Sequence, residues 1–352
     1  MDTDAFPGGR PLFIGSLPFG DHRRALEEVL ARTPETPHWV QLPCRPEEGF
    51  LVQFCEGAPG LRVEPHPRFE TLSAGFEAEL LSFYEEFLAV SEERRPLAES
   101  RFAVSRRAAP GLFLLTESLG GRTPLVVKGQ LSGPLTVLLG IKDASERCAY
   151  YDERLREAVV KLLSLKARFQ TQLLGAGGSR AMVFVDEPAL GSVGSSVFIG
   201  VSPGEALSDL SEILRGIASA GGWPGVHVCA NADWGALLLE ELRVLSFDAF
   251  SYFDRVALFR RGIEGFLQRG GMLAWGIVPT SAQILPSVDP PGLAALWWEQ
   301  AEALGGGRPA AEKILERTFI TPSCGLGTLS PDQALRAMDL TVAVSDLVRQ
   351  GR

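Results

Sequence analysis

A chain of 352 residues with 45% hydrophobic and 22% charged side chains can bury a large core and is not a disordered polymer. Its formal charge of -9, without a long Lys/Arg run, argues against nucleic acid as the main partner; no apolar stretch approaches the ~18 residues of a membrane span, and Met1–Arg10 lacks a secretory signal pattern, so a cytoplasmic location is expected. Five cysteines, an odd number in so long a chain, do not make a disulfide framework and are expected as free thiols or metal ligands.

In chain order, β-branched or aromatic runs bounded by Gly, Pro and Asp predict strands at 11–16 (PLFIGS), 38–43 (HWVQLP), 125–131 (LVVKGQL) and 181–186 (AMVFVD). Four more follow at 225–230 (GVHVCA), 244–250 (VLSFDAF), 272–278 (MLAWGIV) and 317–322 (RTFITP). Helical patterns at 22–32, 70–93, 150–174, 204–219, 235–242, 292–304 and 331–349 fill most of the intervals. The last begins with Ser330, Pro331 and Asp332, an N-cap signal, while Gly177–Gly178 and Gly221–Gly222 close two others.

Eight strands alternating with helices predict a parallel sheet closed into a (β/α)8 TIM barrel, a single α/β domain over 1–352. One interval is too long for that scheme. Residues 44–124, between the second and third strands, read as an insertion that packs beside or over the barrel mouth, with a long amphipathic helix and a hairpin at GLFLLTE before Gly120–Gly121. The alternative is a doubly wound open sheet, but no strand runs into a GxGxxG or Walker-type loop.

In a barrel, chemistry collects where strands end. Those ends carry Gly15-Ser16-Leu17-Pro18, Ser132-Gly133-Pro134, Asp186-Glu187-Pro188, His227-Val228-Cys229-Ala230-Asn231, Tyr252-Phe253-Asp254 and Ser323-Cys324-Gly325. His227 and Cys229, two apart on an extended strand, point to one face with Cα atoms roughly 6–7 Å apart, and Cys324 ends the eighth strand at the same rim. One imidazole and two thiols with an open fourth position form the ligand pattern of a catalytic zinc; burial of His227 and Cys229 in an apolar core is the competing reading. Asp186 and Glu187 either cap the following turn or offer a carboxylate to an ammonium group. Asn231 reads first as a turn residue, close to the HxC pair. With three of the four His in the first seventy residues, no Ser-His-Asp arrangement is available.

Four of these pieces, Ile14-Gly15-Ser16-Leu17-Pro18, Val185-Asp186-Glu187-Pro188-Ala189-Leu190, His227-x-Cys229 and Pro322-Ser323-Cys324-Gly325-Leu326, resemble in order the IGSxP, DEPAL, HxC and Cys-Gly-Leu segments of cobalamin-independent methionine synthase. The resemblance extends to the wider uroporphyrinogen-decarboxylase-like methyltransferases and spans residues 14 to 326. It implies a (β/α)8 barrel holding Zn²⁺ through His227, Cys229 and Cys324, with a thiol substrate such as homocysteine kept as thiolate by the metal. Ser16 and Asp186 match the positions that hold the carboxylate and amino groups of that substrate, with Glu187 beside them.

Because the first strand begins at residue 11, the chain is similar to the short core enzymes of the family, which implies a methylcorrinoid donor presented by a corrinoid protein, ahead of methyl-tetrahydrofolate. The chain departs from the family three times, once in the loop after the HxC pair, where Asn231 and Asp233-Trp234 stand, and twice at acidic positions. Phe253 stands at or near the place of a zinc-binding Glu, with Asp254 the nearest carboxylate and Tyr252 the nearest oxygen; Cys44 stands where an amino-group-binding Glu is expected, followed by Glu47 and Glu48. The competing classes are a non-catalytic corrinoid- or thiol-binding barrel and a uroporphyrinogen-type decarboxylase, which needs an Arg-rich pocket near the N-terminus and no metal.

Overall fold

The computed structural model describes residues 7–193 and 198–351. The first part of the chain forms α1 (His22–Arg32), β1 (Leu61–Arg62), β2 (Arg68–Phe69), α2 (Phe76–Ser91), α3 (Pro110–Leu119), β3 (Val126–Ser132), α4 (Pro134–Gly140), β4 (Lys142–Asp143) and α5 (Glu153–Gly175). It continues through β5 (Arg180–Asp186), α6 (Pro203–Ser219), β6 (Trp223–Val228), β7 (Val244–Phe247), α7 (Ala249–Ala257), α8 (Arg260–Gln268) and β8 (Met272–Val278). The last elements are α9 (Pro290–Gly305), α10 (Arg308–Glu316), β9 (Thr318–Pro322) and α11 (Pro331–Arg349). Among the described residues, no helix is long and apolar enough to cross a membrane.

Six strands pair in parallel in the order β3-β5-β6-β7-β8-β9. They are buried on both faces, as a parallel sheet covered by helices requires. Alternate residues divide between two apolar clusters. Val127, Val183, Val226, Leu245, Leu273 and Ile320 join the large cluster that includes the helices, whereas Val126, Met182, Phe184, Val244, Met272, Ala274 and Phe319 form a smaller one with Leu12. Val126 and Phe319 stand on opposite edges of the sheet yet share this inner cluster, so the sheet curls into a half-barrel with Leu12 across its opening.

The expected first two strands are not ladder strands. Residues 11–16 and 38–41 run between the edges through single parallel bridges, Pro11 with Ile320, Ser16 with Gln41 and His38 with Lys128. Leu12 N donates to Ile320 O at 2.9 Å, Leu17 N to Gln41 O at 2.9 Å and Trp39 N to Lys128 O at 3.2 Å. Pro11, Pro37 and Pro43 remove ladder donors, and Gly15 must lack a side chain because a Cβ there would lie 2.7 Å from Gln130 Cδ. Side chains fill in: buried Lys128 donates through Nζ to Ile14 O, and Gln130 Nε2 donates to Trp39 O at 3.2 Å.

Other sequence expectations are corrected in the same physical terms. GLFLLTE is helix α3, not a hairpin: Pro110 starts it, Leu112 and Leu115 share its buried face, and left-handed Gly120 (φ 50°) ends it. The long helix expected at 70–93 is α2, Phe76–Ser91. Residues 235–242 make turns, and β7 stops at Phe247 because the Asp248 side chain caps α7, accepting from Ser251 N at 2.8 Å. Helices α4, α7, α8 and α10 lie where the sequence predicts none; α4 is buried nearly all round and so has no amphipathic period to read. Within 44–124, α2 packs on α5 and α3 on α1, at the side of the curled sheet. The loop before them reaches the strand ends, where Ser132 Oγ donates to Phe50 O.

Candidate metal centre

Strand β6 sends Val226 and Val228 outward to the helices, leaving Gly225, His227 and Cys229 for the inner side. In register across the sheet, Asp186 of β5 pairs with His227, and His227 with Ser246 of β7. His227 is only 3% exposed. Its Nδ1 lies 2.9 Å from Ser246 Oγ, while its Nε2 is buried without a hydrogen-bond partner. Cys324 arrives from the loop after β9, and the ligand atoms of His227, Cys229 and Cys324 all lie within 4.8 Å of one another.

That arrangement fits a metal. A buried ring nitrogen with no partner costs on the order of 1–3 kcal/mol unless something fills the space before it. One imidazole and two thiols are the donor set that suits zinc. The two sulfurs perturb each other: the contact with Cys324 pulls Cys229 below the ordinary thiol range, and the same contact pushes Cys324 above it.

Of the residues singled out in the sequence, Ser16 and Asp186 come to this centre. Ser16 O accepts from Leu326 N at 3.0 Å and Ser16 Oγ from Gly327 N at 3.3 Å, so it lies against the loop that carries Cys324. Gly325 permits this approach, since a Cβ there would sit 2.2 Å from Ser16 Oγ. Asp186 Oδ1 is buried without a partner, and burial lifts the carboxyl to about 6 against the pull of His227 and Lys128.

Glu187 goes elsewhere. Its carboxylate accepts from Leu135 N at 3.1 Å, Thr136 N at 2.6 Å and the Thr136 hydroxyl, holding the start of α4, with Gly133 leaving the room it occupies. Glu48 is likewise engaged, meeting His22 Nε2 at 2.7 Å and accepting from Leu42 N at 2.9 Å; Glu47 is exposed. Asn231 is exposed two residues beyond Cys229. Asp254 is exposed on α7 and stands outside the three-residue group, Tyr252 is half-buried on the same helix, and Phe253 stacks on Trp275 with ring centroids 5.8 Å apart.

Ser246, Asp248, Thr321 and Lys128 were missed in the sequence. Asp248 is 8% exposed, its carboxyl raised chiefly by burial and further by Cys229. Thr321 has a buried hydroxyl without a partner, and Lys128 is a fully buried amine pushed down to about 8 by desolvation. Only strand register brings Ser246 to His227, and register is not written in a single sequence. Compared with known protein families and with curated protein sequences, the chain has no match.

Proposed function

We propose that the protein is a zinc-dependent methyltransferase that moves a methyl group from a methylcorrinoid to a thiol, on a (β/α)8 barrel whose first two strands are 11–16 and 38–43. The convergence of His227, Cys229 and Cys324, with the orphaned Nε2 among them, carries this reading. The single bridges from Pro11 to Ile320 and from His38 to Lys128 support closure of the barrel. Zinc, when bound, supplies the Lewis acidity that keeps a substrate thiol ionised at neutral pH.

The chain's own groups do the rest. Asp186 presents an unpartnered buried oxygen to a donor such as a substrate ammonium, and Ser16 lines the Cys324 side of the site. Methyl transfer to a thiolate is a displacement governed by alignment and desolvation, so no proton-shuttling triad is required. Glu48, tied to His22 and Leu42, leaves Asp186 to read the amino group of an acceptor such as homocysteine. A methylcorrinoid donor in place of methyl-tetrahydrofolate, carried by a corrinoid protein, is the part of this reading that rests on the resemblance to the short core enzymes alone; a cytoplasmic location belongs to the same proposal.

The test follows the visible spectrum of methylcobalamin on adding zinc-loaded protein and a panel of thiols. Thiol-dependent loss of the methylcobalamin spectrum, abolished in Cys324→Ser, is expected. No demethylation with any thiol would favour a corrinoid- or thiol-binding barrel without chemistry.

A further inference from the structure

We infer that Ser246 is the positioning residue of the metal centre: by accepting the Nδ1 proton of His227 it fixes the tautomer in which Nε2 is the free ligand atom. The inference rests on the reading of His227, Cys229 and Cys324 as metal ligands. A histidine binds a metal through a deprotonated ring nitrogen, and the hydrogen bond made by the other nitrogen decides which one that is.

Here the two nitrogens have different surroundings. Nδ1 lies 2.9 Å from Ser246 Oγ, and Nε2 has no partner. Ser246 is completely buried and stands opposite His227 in the β6–β7 ladder, so the contact is built into the sheet. The next residue in that row is Ala274, which has no polar side-chain atom to offer. The other ladder neighbour, Asp186, is not hydrogen-bonded to the ring and keeps Oδ1 unpartnered. Serine is also a neutral acceptor. With a divalent ion bound, two thiolates would balance its charge, and a neutral partner behind the imidazole adds no further negative charge to a buried site.

The decisive measurements are zinc affinity, by competition with a chromophoric chelator, and the ring ¹⁵N spectrum of the full chain. With only four histidines present, the His227 signals can be assigned by comparison with a His227→Gln variant. The metal-free wild type is expected to carry the ring proton on Nδ1. Ser246→Ala should raise the zinc dissociation constant ~10–100-fold and mix the tautomers, and Ser246→Thr, which keeps a hydroxyl, should restore both. A proton on Nε2 in the metal-free wild type, or unchanged affinity and tautomer in Ser246→Ala, overturns the inference. If Ser246→Ala does not fold, the wild-type tautomer alone decides. Failure of the wild type itself to bind zinc overturns instead the metal reading beneath it.

Discussion

Lys166 of α5 has no part in the candidate metal centre but sets a measurable property of the molecule. It is 1% exposed, its Nζ donates to Ala103 O at 3.0 Å and Arg101 O at 3.4 Å, and burial pushes it down from 10.5 to about 8. Between those two values the unfolded chain still binds a proton that the folded chain has released, so this residue makes stability rise with pH across that window. The rise amounts to about 3 kcal/mol and is lost again as pH falls through the folded value. Lys166→Met is expected to shrink it by about that amount in denaturant titrations run from pH 8 to 10.5; an unaltered rise would show that the amine is not desolvated as described. Single residues were legible where chemistry is local and illegible where it depends on a distant partner. His227, Cys229 and Cys324 stood out by residue type and position at strand ends, whereas Glu187, adjacent to Asp186, was assigned to the site and instead holds the amides of Leu135 and Thr136.

At the scale of elements, strands with nearly continuous apolar runs are legible in the sequence: 181–186 against Arg180–Asp186, and 272–278 with both ends unchanged. Errors fell where a short stretch obeys no period, as in buried α4, or where tertiary context overrides a local pattern, as in the turns at 235–242. The segments 11–16 and 38–41 are the informative case, since their composition is that of strands but proline and the Gly15–Gln130 contact reduce their pairing to single bridges. Hydrogen exchange should separate them from the ladder. The amides of Leu12 and Trp39, each bonded across the seam, are expected to exchange by local opening well before those in the middle of β5 and β6. Equal protection would mean that the seam is as cooperative as the ladders beside it.

For the whole molecule, alternation of strands and helices indicated a parallel α/β architecture, and the inner cluster shared by Val126 and Phe319 accounts for its curl. Curl is what makes the site. His227 on β6 and Cys229 just beyond its end are separated from Cys324 after β9 by two intervening strands, and a flat sheet would hold them far apart. A metal at this point would tie the ends of β6 and β9 together, and binding to the folded state alone would stabilise it by about 2.7 kcal/mol at a hundredfold excess over the dissociation constant. X-ray absorption at the zinc edge of the purified chain tests the centre most directly. It should find about one zinc per chain with two sulfur ligands at ~2.3 Å and an imidazole nitrogen at ~2.0–2.1 Å. A shell of light atoms alone, or a sulfur shell that survives replacement of both Cys229 and Cys324 by serine, would contradict the account.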